Sequence, residues 1–171
     1  DLRLPGRIDF AGGWSDTPPH SLERGGVVLN AALMVDGNLP VRVRVRRIPD
    51  AAVVLSSSDL GVSAAFESRE ELTDFSNPQD PLAIHKAAVC LVILEDVEDD
   101  LPLPELLHAL GGGIELGSEV ELPKGTGLGT SSILAAALVK ALTLMGSESD
   151  DDVREEQLFD AASAVEQMLT T

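Results

Sequence analysis

In "VRVRVRR", residues 41–47, Val41, Val43 and Val45 alternate with Arg42, Arg44 and Arg46. That period of two is the pattern of a strand with one buried and one cationic, solvated face. "AAVVLSSS" and "GVSAAFES" predict two more strands, the first ending in a serine turn and Asp59. Upstream, Leu2 to Phe10 reads as a short extended segment that breaks at Gly12, Gly13, Pro18 and Pro19 into a loop, and "GGVVLNAALMV" resumes as a strand. The first third is therefore mostly β.

From Pro81 the period changes. "PLAIHKAAVCLVILEDV" places Pro at a first helical position and is apolar on most sides, so it predicts a buried helix. "LPLPELLHAL" predicts a second short helix closed by Gly111 to Gly113. In "GIELGSEVELP", Ile114, Leu116, Val120 and Leu122 stand against Glu115, Glu119 and Glu121, a strand that runs into "KGTGLGTSS" and then a long apolar run. The final segment sets Leu158, Ala161, Ala162, Val165, Met168 and Leu169 at helical spacing, with Asp150 to Asp152 suited to the positive end of that helix. No internal repeat or low-complexity linker interrupts the chain.

Composition narrows the classes. A chain of 171 residues with 44% hydrophobic content can bury a sizeable core as one domain. The formal net charge of −17 excludes nucleic-acid binding through a broadly basic surface, so an anionic ligand must be met locally. The single cysteine, Cys90, lies in "AAVCLVIL", which rules out an internal disulfide framework and points to a buried small side chain in an intracellular, cytoplasmic protein. No apolar run reaches the roughly 18 residues that cross a bilayer, and residues 1–20 carry no signal-peptide pattern, so no membrane partner is expected. The acidic runs "EDVEDD" and "ESDDD" lack EF-hand spacing and read as loops. His20, His85 and His108 fall on separate elements without metal-ligand spacing, and Met145 and Met168 read as core filler.

The chemistry concentrates in "LPKGTGLGTSS". Glycines at alternate positions let backbone N–H groups converge on a ligand, and a helix starting near Thr130 adds its own unpaired N–H groups and dipole. The hydroxyls of Thr130, Ser131 and Ser132 either cap that helix or hold a phosphate-bound cation. The P-loop pattern fails because Thr130 stands where it needs lysine, and the dinucleotide pattern fails because the glycine spacing is one residue short. The alternative is a structural turn feeding a buried helix.

This loop closely resembles the ATP-binding motif of the GHMP kinases, with Pro123, Lys124, Gly125, Gly127, Leu128, Gly129, Thr130, Ser131 and Ser132 as the ATP-binding residues the resemblance implies. A second stretch, "LPGRIDFAGGWSDTPP", looks like that family's amino-terminal motif, with Pro5, Gly6 and Arg7 on its Pro-Gly-Arg positions, Asp16 on that of the sugar-contacting Asp, and more than 100 residues between the two motifs. Gly13 and Trp14 depart from the galactokinase pattern, and "GGWSDTPP" instead looks like the L-fucokinase branch. The heptose 7-phosphate kinases, with a similar "FAGG" turn, are the competing reading. "AVEQMLTT" resembles the helix that carries a magnesium-binding glutamate, here Glu166.

The resemblance spans Leu2 to Thr171 and implies an α+β fold, residues 1–171 forming the GHMP kinase amino-terminal lobe, similar to the second domain of ribosomal protein S5 and with a left-handed βαβ crossover. A second lobe, and the loop that supplies the catalytic aspartate, are expected beyond these residues. The implied reaction is transfer of the ATP γ-phosphate to the anomeric hydroxyl of L-fucose. Gly13, Trp14, Ser15 and Asp16 would bind the sugar, Arg7 would support catalysis behind the reacting hydroxyl, and Ser131 with Glu166 would hold Mg²⁺ on the ATP phosphates. A covalently linked GDP-fucose pyrophosphorylase unit occurs in several relatives and is expected as a partner. Two other readings stay open: a nucleotide- or sugar-binding module without catalysis, and a structural domain whose glycine loop is only a turn.

Overall fold

The computed structural model describes residues 1–15, 17–77, 79–95, 97, 101–123, 129–146 and 154–169. Asp16, Lys124, Gly125, Gly127 and Leu128, and with them part of the expected sugar and ATP sites, lie outside the described residues, as do Asp150 to Asp152.

Valine alternation produces the expected centre of the fold. The strands are β1 (Leu2–Leu4), β2 (Gly6–Ala11), β3 (Leu29–Leu33), β4 (Val41–Ile48), β5 (Val53–Ser57), β6 (Val62–Phe66) and β7 (Gly113–Val120). Five of them form one sheet in the order β1-β4-β7-β5-β6, with β5 and β7 parallel and the other neighbours antiparallel. β2 and β3 form a separate antiparallel ribbon. The helices are α1 (His20–Arg24), α2 (Arg69–Thr73), α3 (Ala83–Val89), α4 (Leu103–Ala109), α5 (Thr130–Gly146) and α6 (Glu155–Met168). α3 continues as a π-helical turn over Cys90–Leu94.

One face of the sheet is dry. Val43, Val53, Leu55, Ile114 and Leu116 are fully buried and share one core with Ala87 and Val89 of α3 and with Ala135, Leu138 and Leu142 of α5. Small alanines let α5 lie close to the sheet, and burial of five such aliphatic side chains contributes about 1.5–3 kcal/mol each. Val165 and Ala162 seat α6 on this layer, and the six residues predicted at helical spacing, five in α6 and Leu169 just after it, all pack on the core. The opposite face carries the arginines: Arg42 donates to Asp1, Nε to Oδ1 at 3.0 Å, and Arg46 pairs with Glu115 on β7. The predicted half-buried strand and the buried Cys90 are both observed.

Two short helices were not anticipated. α2 begins with a capping box in "SREE", where the Ser68 hydroxyl accepts from Glu71 N–H and the Glu71 carboxylate accepts from Ser68 N–H. α1 follows Pro19 and buries none of its residues.

Candidate active site

β2 passes beside the start of α5, which brings the two ends of the chain's chemistry together. Arg7 and Asp9 lie two residues apart on β2 and so share one face. Arg7 Nη2 donates to Asp9 Oδ2 at 3.1 Å. The guanidinium lies against Gly129, where an added Cβ would sit 3.3 Å from Arg7 Cζ and Nε. Gly129 also has φ +66°, a left-handed conformation that favours glycine, so a side chain here is opposed by the backbone and by Arg7 together.

Gly129 C=O accepts the first α5 hydrogen bond from Ile133 N at 3.0 Å, which makes it the residue that opens the helix. The first N–H groups of a helix have no partner within it and carry its positive dipole end. Arg7 adds a full positive charge at that end. An anion placed there meets backbone donors and one guanidinium on a chain of net charge −17.

The α5 hydroxyls divide between two sides. Thr130 and Ser131 line a cavity of about 340 Å³ whose other walls include Asp59, Leu60, Ile84 and His85. Ser132, about 100° further round the helix, donates its Oγ–H to Glu166 Oε1 at 2.6 Å. The hydroxyl that meets Glu166 is therefore that of Ser132, whereas the resemblance pointed to Ser131. Glu166 faces α5 because its neighbour Val165 is fully buried between the helices. An alcohol oxygen and a carboxylate oxygen this close are hard oxygen donors of the kind Mg²⁺ takes, so the donor set fits that ion.

The expected sugar turn is built tightly. Gly12, at φ +78°, passes so near Val27 C=O that a Cβ would lie 1.9 Å from the oxygen. Ser15 Oγ donates to Val27 O at 3.0 Å and accepts from Val27 N at 3.1 Å, so this hydroxyl pins the turn to the segment that leads into β3. Trp14 is held at φ +72° and is 84% exposed. Left-handed backbone at a bulky residue costs of order 1–3 kcal/mol and persists where the surroundings enforce it, often at functional sites. Gly13 sits above Asp9, with its Cβ position 3.9 Å from Asp9 Oδ2.

The cavity wall contains a buried polar cluster that the motifs did not reveal. His85 is 1% exposed, and its Nε2 lies 2.8 Å from Ser118 Oγ. Burial pushes the imidazole down to about 4, against the opposing pull of the Asp59 and Asp80 carboxylates, so it is neutral at pH 7. Asp80 Oδ2 pairs with Lys86 Nζ at 2.8 Å while its Oδ1 accepts from Leu82 N, which fixes the entry to α3. His85 is thus a buried, hydrogen-bonded part of the cavity wall. Asp9 was not singled out at all, because its place beside Arg7 and Gly129 depends on a strand meeting a helix that lies more than 100 residues later.

A second concavity, of about 470 Å³, lies on the outer face of the sheet among Arg42, Arg44 and Arg46. Two of its three arginines are already neutralised by Asp1 and Glu115, and its lining comes from Asp1, the strands and Ser58, so it is the weaker anion site.

The fold that carries this site is a known one. Residues 90–170 match the family described as GHMP kinases N terminal domain. A heptose kinase structure, the D-glycero-D-manno-heptose 1-phosphate kinase from Bacteroides thetaiotaomicron, superposes with TM-score 0.65 at 18% identity, over 96% of this chain and 47% of that one. Sequence match and fold thus agree on a GHMP kinase amino-terminal domain over residues 90–170, within a chain whose fold is that of these kinases. Among curated proteins it is 38% identical to an L-fucokinase/L-fucose-1-P guanylyltransferase of Bacteroides fragilis, over 99% of this chain and 18% of that protein. It is 34% identical to a bifunctional fucokinase/GDP-fucose pyrophosphorylase of Arabidopsis thaliana, over 89% of this chain and 14% of that protein. The chain thus spans less than a fifth of the length of these relatives.

Proposed function

We propose that residues 1–171 are the amino-terminal lobe of a cytoplasmic sugar kinase that transfers the ATP γ-phosphate to the anomeric hydroxyl of L-fucose, giving L-fucose 1-phosphate. The observation that carries this reading is the oxygen pair of Ser132 and Glu166 beside the Gly129 opening of α5, with Arg7 against the same glycine. Phosphoryl transfer needs position and charge neutralisation more than covalent chemistry. The α5 N–H groups and Arg7 bind phosphate oxygens, Ser132 and Glu166 hold Mg²⁺, and the cavity bounded by Ile84, Leu60 and His85 receives the apolar body of the nucleotide. Bound there, Mg²⁺ supplies neutralisation of the phosphate charge.

Support for a deoxysugar comes from Trp14, a broad apolar ring presented to solvent by a turn that the Ser15–Val27 hydrogen bonds hold rigid. Its face suits the methyl and C–H side of L-fucose, and both curated relatives are fucokinases by name. Those relatives also carry a guanylyltransferase or pyrophosphorylase activity, so a covalently linked nucleotidyltransferase unit belongs to the proposal.

Trp14 is the sole tryptophan, so its fluorescence reports the sugar turn directly. L-Fucose is expected to shift or quench that emission in the presence of MgATP, and heptose 7-phosphate to leave it unchanged. The reverse pattern would replace fucose with a heptose phosphate as substrate. No response to either sugar, together with no MgATP binding by calorimetry, would leave the kinase reading without support.

A further inference from the structure

Arg7 is a long side chain on a ribbon outside the main sheet, 45% exposed, yet it lies packed on Gly129. An arginine in that position has several rotatable bonds and, unrestrained, loses about 2 kcal/mol of rotamer freedom when a ligand immobilises it. Something on the protein must hold it. Among the described residues Asp9 is the carboxylate paired with it, its Oδ2 accepting from Arg7 Nη2 at 3.1 Å, and its side chain is only 22% exposed. Two local features aim Asp9. The β2–β3 register shifts between Asp9 and Ala11, where a bulge redirects the strand. Gly13 then crosses above the carboxylate without a side chain, 3.9 Å from its Cβ position to Oδ2. Among the described residues Asp9 Oδ1 is buried without a hydrogen-bond partner, an arrangement with a cost that core packing alone does not call for.

We propose that Asp9 is a positioning residue: it holds the Arg7 guanidinium against Gly129, so that the cation already faces the opening of α5 before an anionic ligand arrives. This rests on the phosphate-binding reading of that opening. Asp9 acts through Arg7 and adds no attraction for phosphate itself, since a second negative charge beside an anion is unfavourable except through the cation it orients.

The test is a double-mutant cycle on ligand affinity, read by calorimetry with MgADP and separately with inorganic pyrophosphate. Arg7→Ala is expected to weaken binding about tenfold, the size of one lost charge-assisted contact. Asp9→Asn, which keeps the shape and removes the charge, is expected to weaken it by a comparable factor in the wild-type background and by almost nothing in the Arg7→Ala background. Asp9→Ser provides a second, smaller replacement, and thermal unfolding of each variant separates loss of affinity from loss of fold. If Arg7→Ala weakens binding but Asp9→Asn and Asp9→Ser do not, or if their effect is undiminished without Arg7, the positioning role is wrong while the phosphate site stands. If the unmutated chain binds neither probe, both are overturned.

Discussion

Replacing His85 by glutamine should flatten the acid side of the stability profile by a calculable amount. The imidazole is 1% exposed, and burial pushes it from its ordinary value of 6.5 to about 4. The folded chain therefore refuses, between those values, a proton that the unfolded chain accepts. Its stabilising share is fully present above about pH 6.5, is lost as the pH falls, and levels off below about pH 4. The full shift of about 2.5 units corresponds to roughly 3 kcal/mol, of which about 2 kcal/mol is lost between pH 7 and pH 5. Asp80, although burial pushes it upward, is held below its ordinary 3.8 by Lys86 and the Leu82 N–H, so its contribution is lost only at still lower pH. Glutamine can keep a hydrogen bond to Ser118 Oγ but does not titrate. Denaturant unfolding at pH 7 and pH 5 should thus show the native chain losing about 2 kcal/mol more than His85→Gln. Equal losses in both proteins would refute the claim that His85 is buried neutral.

Three further expectations follow from the packing. Cys90 is buried beneath Leu72 C=O and its thiol is pushed up to about 11 by burial, so a thiol reagent at pH 8 should label it only on the timescale of unfolding. Leu116→Ala, at a fully buried position in β7 between β4 and β5, should cost about 3 kcal/mol in denaturant unfolding, and a cost below about 1 kcal/mol would mean the core is looser than described. Ser68→Ala removes one half of the α2 capping box and should cost about 1 kcal/mol, with no effect on nucleotide binding measured by calorimetry.

The main sheet was legible because alternation of Val41, Val43 and Val45 with arginine leaves one register that buries the valines. The long helices were legible for a similar reason, since Leu158, Ala161, Ala162, Val165 and Met168 of α6, with Leu169 just after it, form one stripe on the core. α2 was missed although its S-x-x-E signature stands in "SREE", because five residues give too little periodicity to weigh. The π-helical turn after Val89 leaves no mark in the pattern of an almost wholly apolar run. At the site, the motifs pointed to the loop, Arg7 and Glu166, and the structure sets Arg7 against Gly129 and Glu166 beside Ser132. The motifs could not give the rotation of α5 about its axis, and that rotation decides whether Ser131 or Ser132 reaches Glu166. Asp9 and His85 became visible only when β2 met Gly129 and α3 met β7, contacts that no local spacing encodes.

The central claim is that phosphate is bound where α5 opens, between Arg7 and the Ser132–Glu166 pair. Backbone amide chemical shifts of the isotopically labelled chain, followed during titration with the magnesium complex of a non-hydrolysable ATP analogue, test it most directly. The account predicts saturable shifts centred on Gly129 to Ile133, with smaller ones at Arg7, His85 and Glu166, and loss of the Glu166 response when magnesium is chelated. Shifts confined to Arg42, Arg44 and Arg46 on the outer face of the sheet, or no saturable shifts at all, would contradict it.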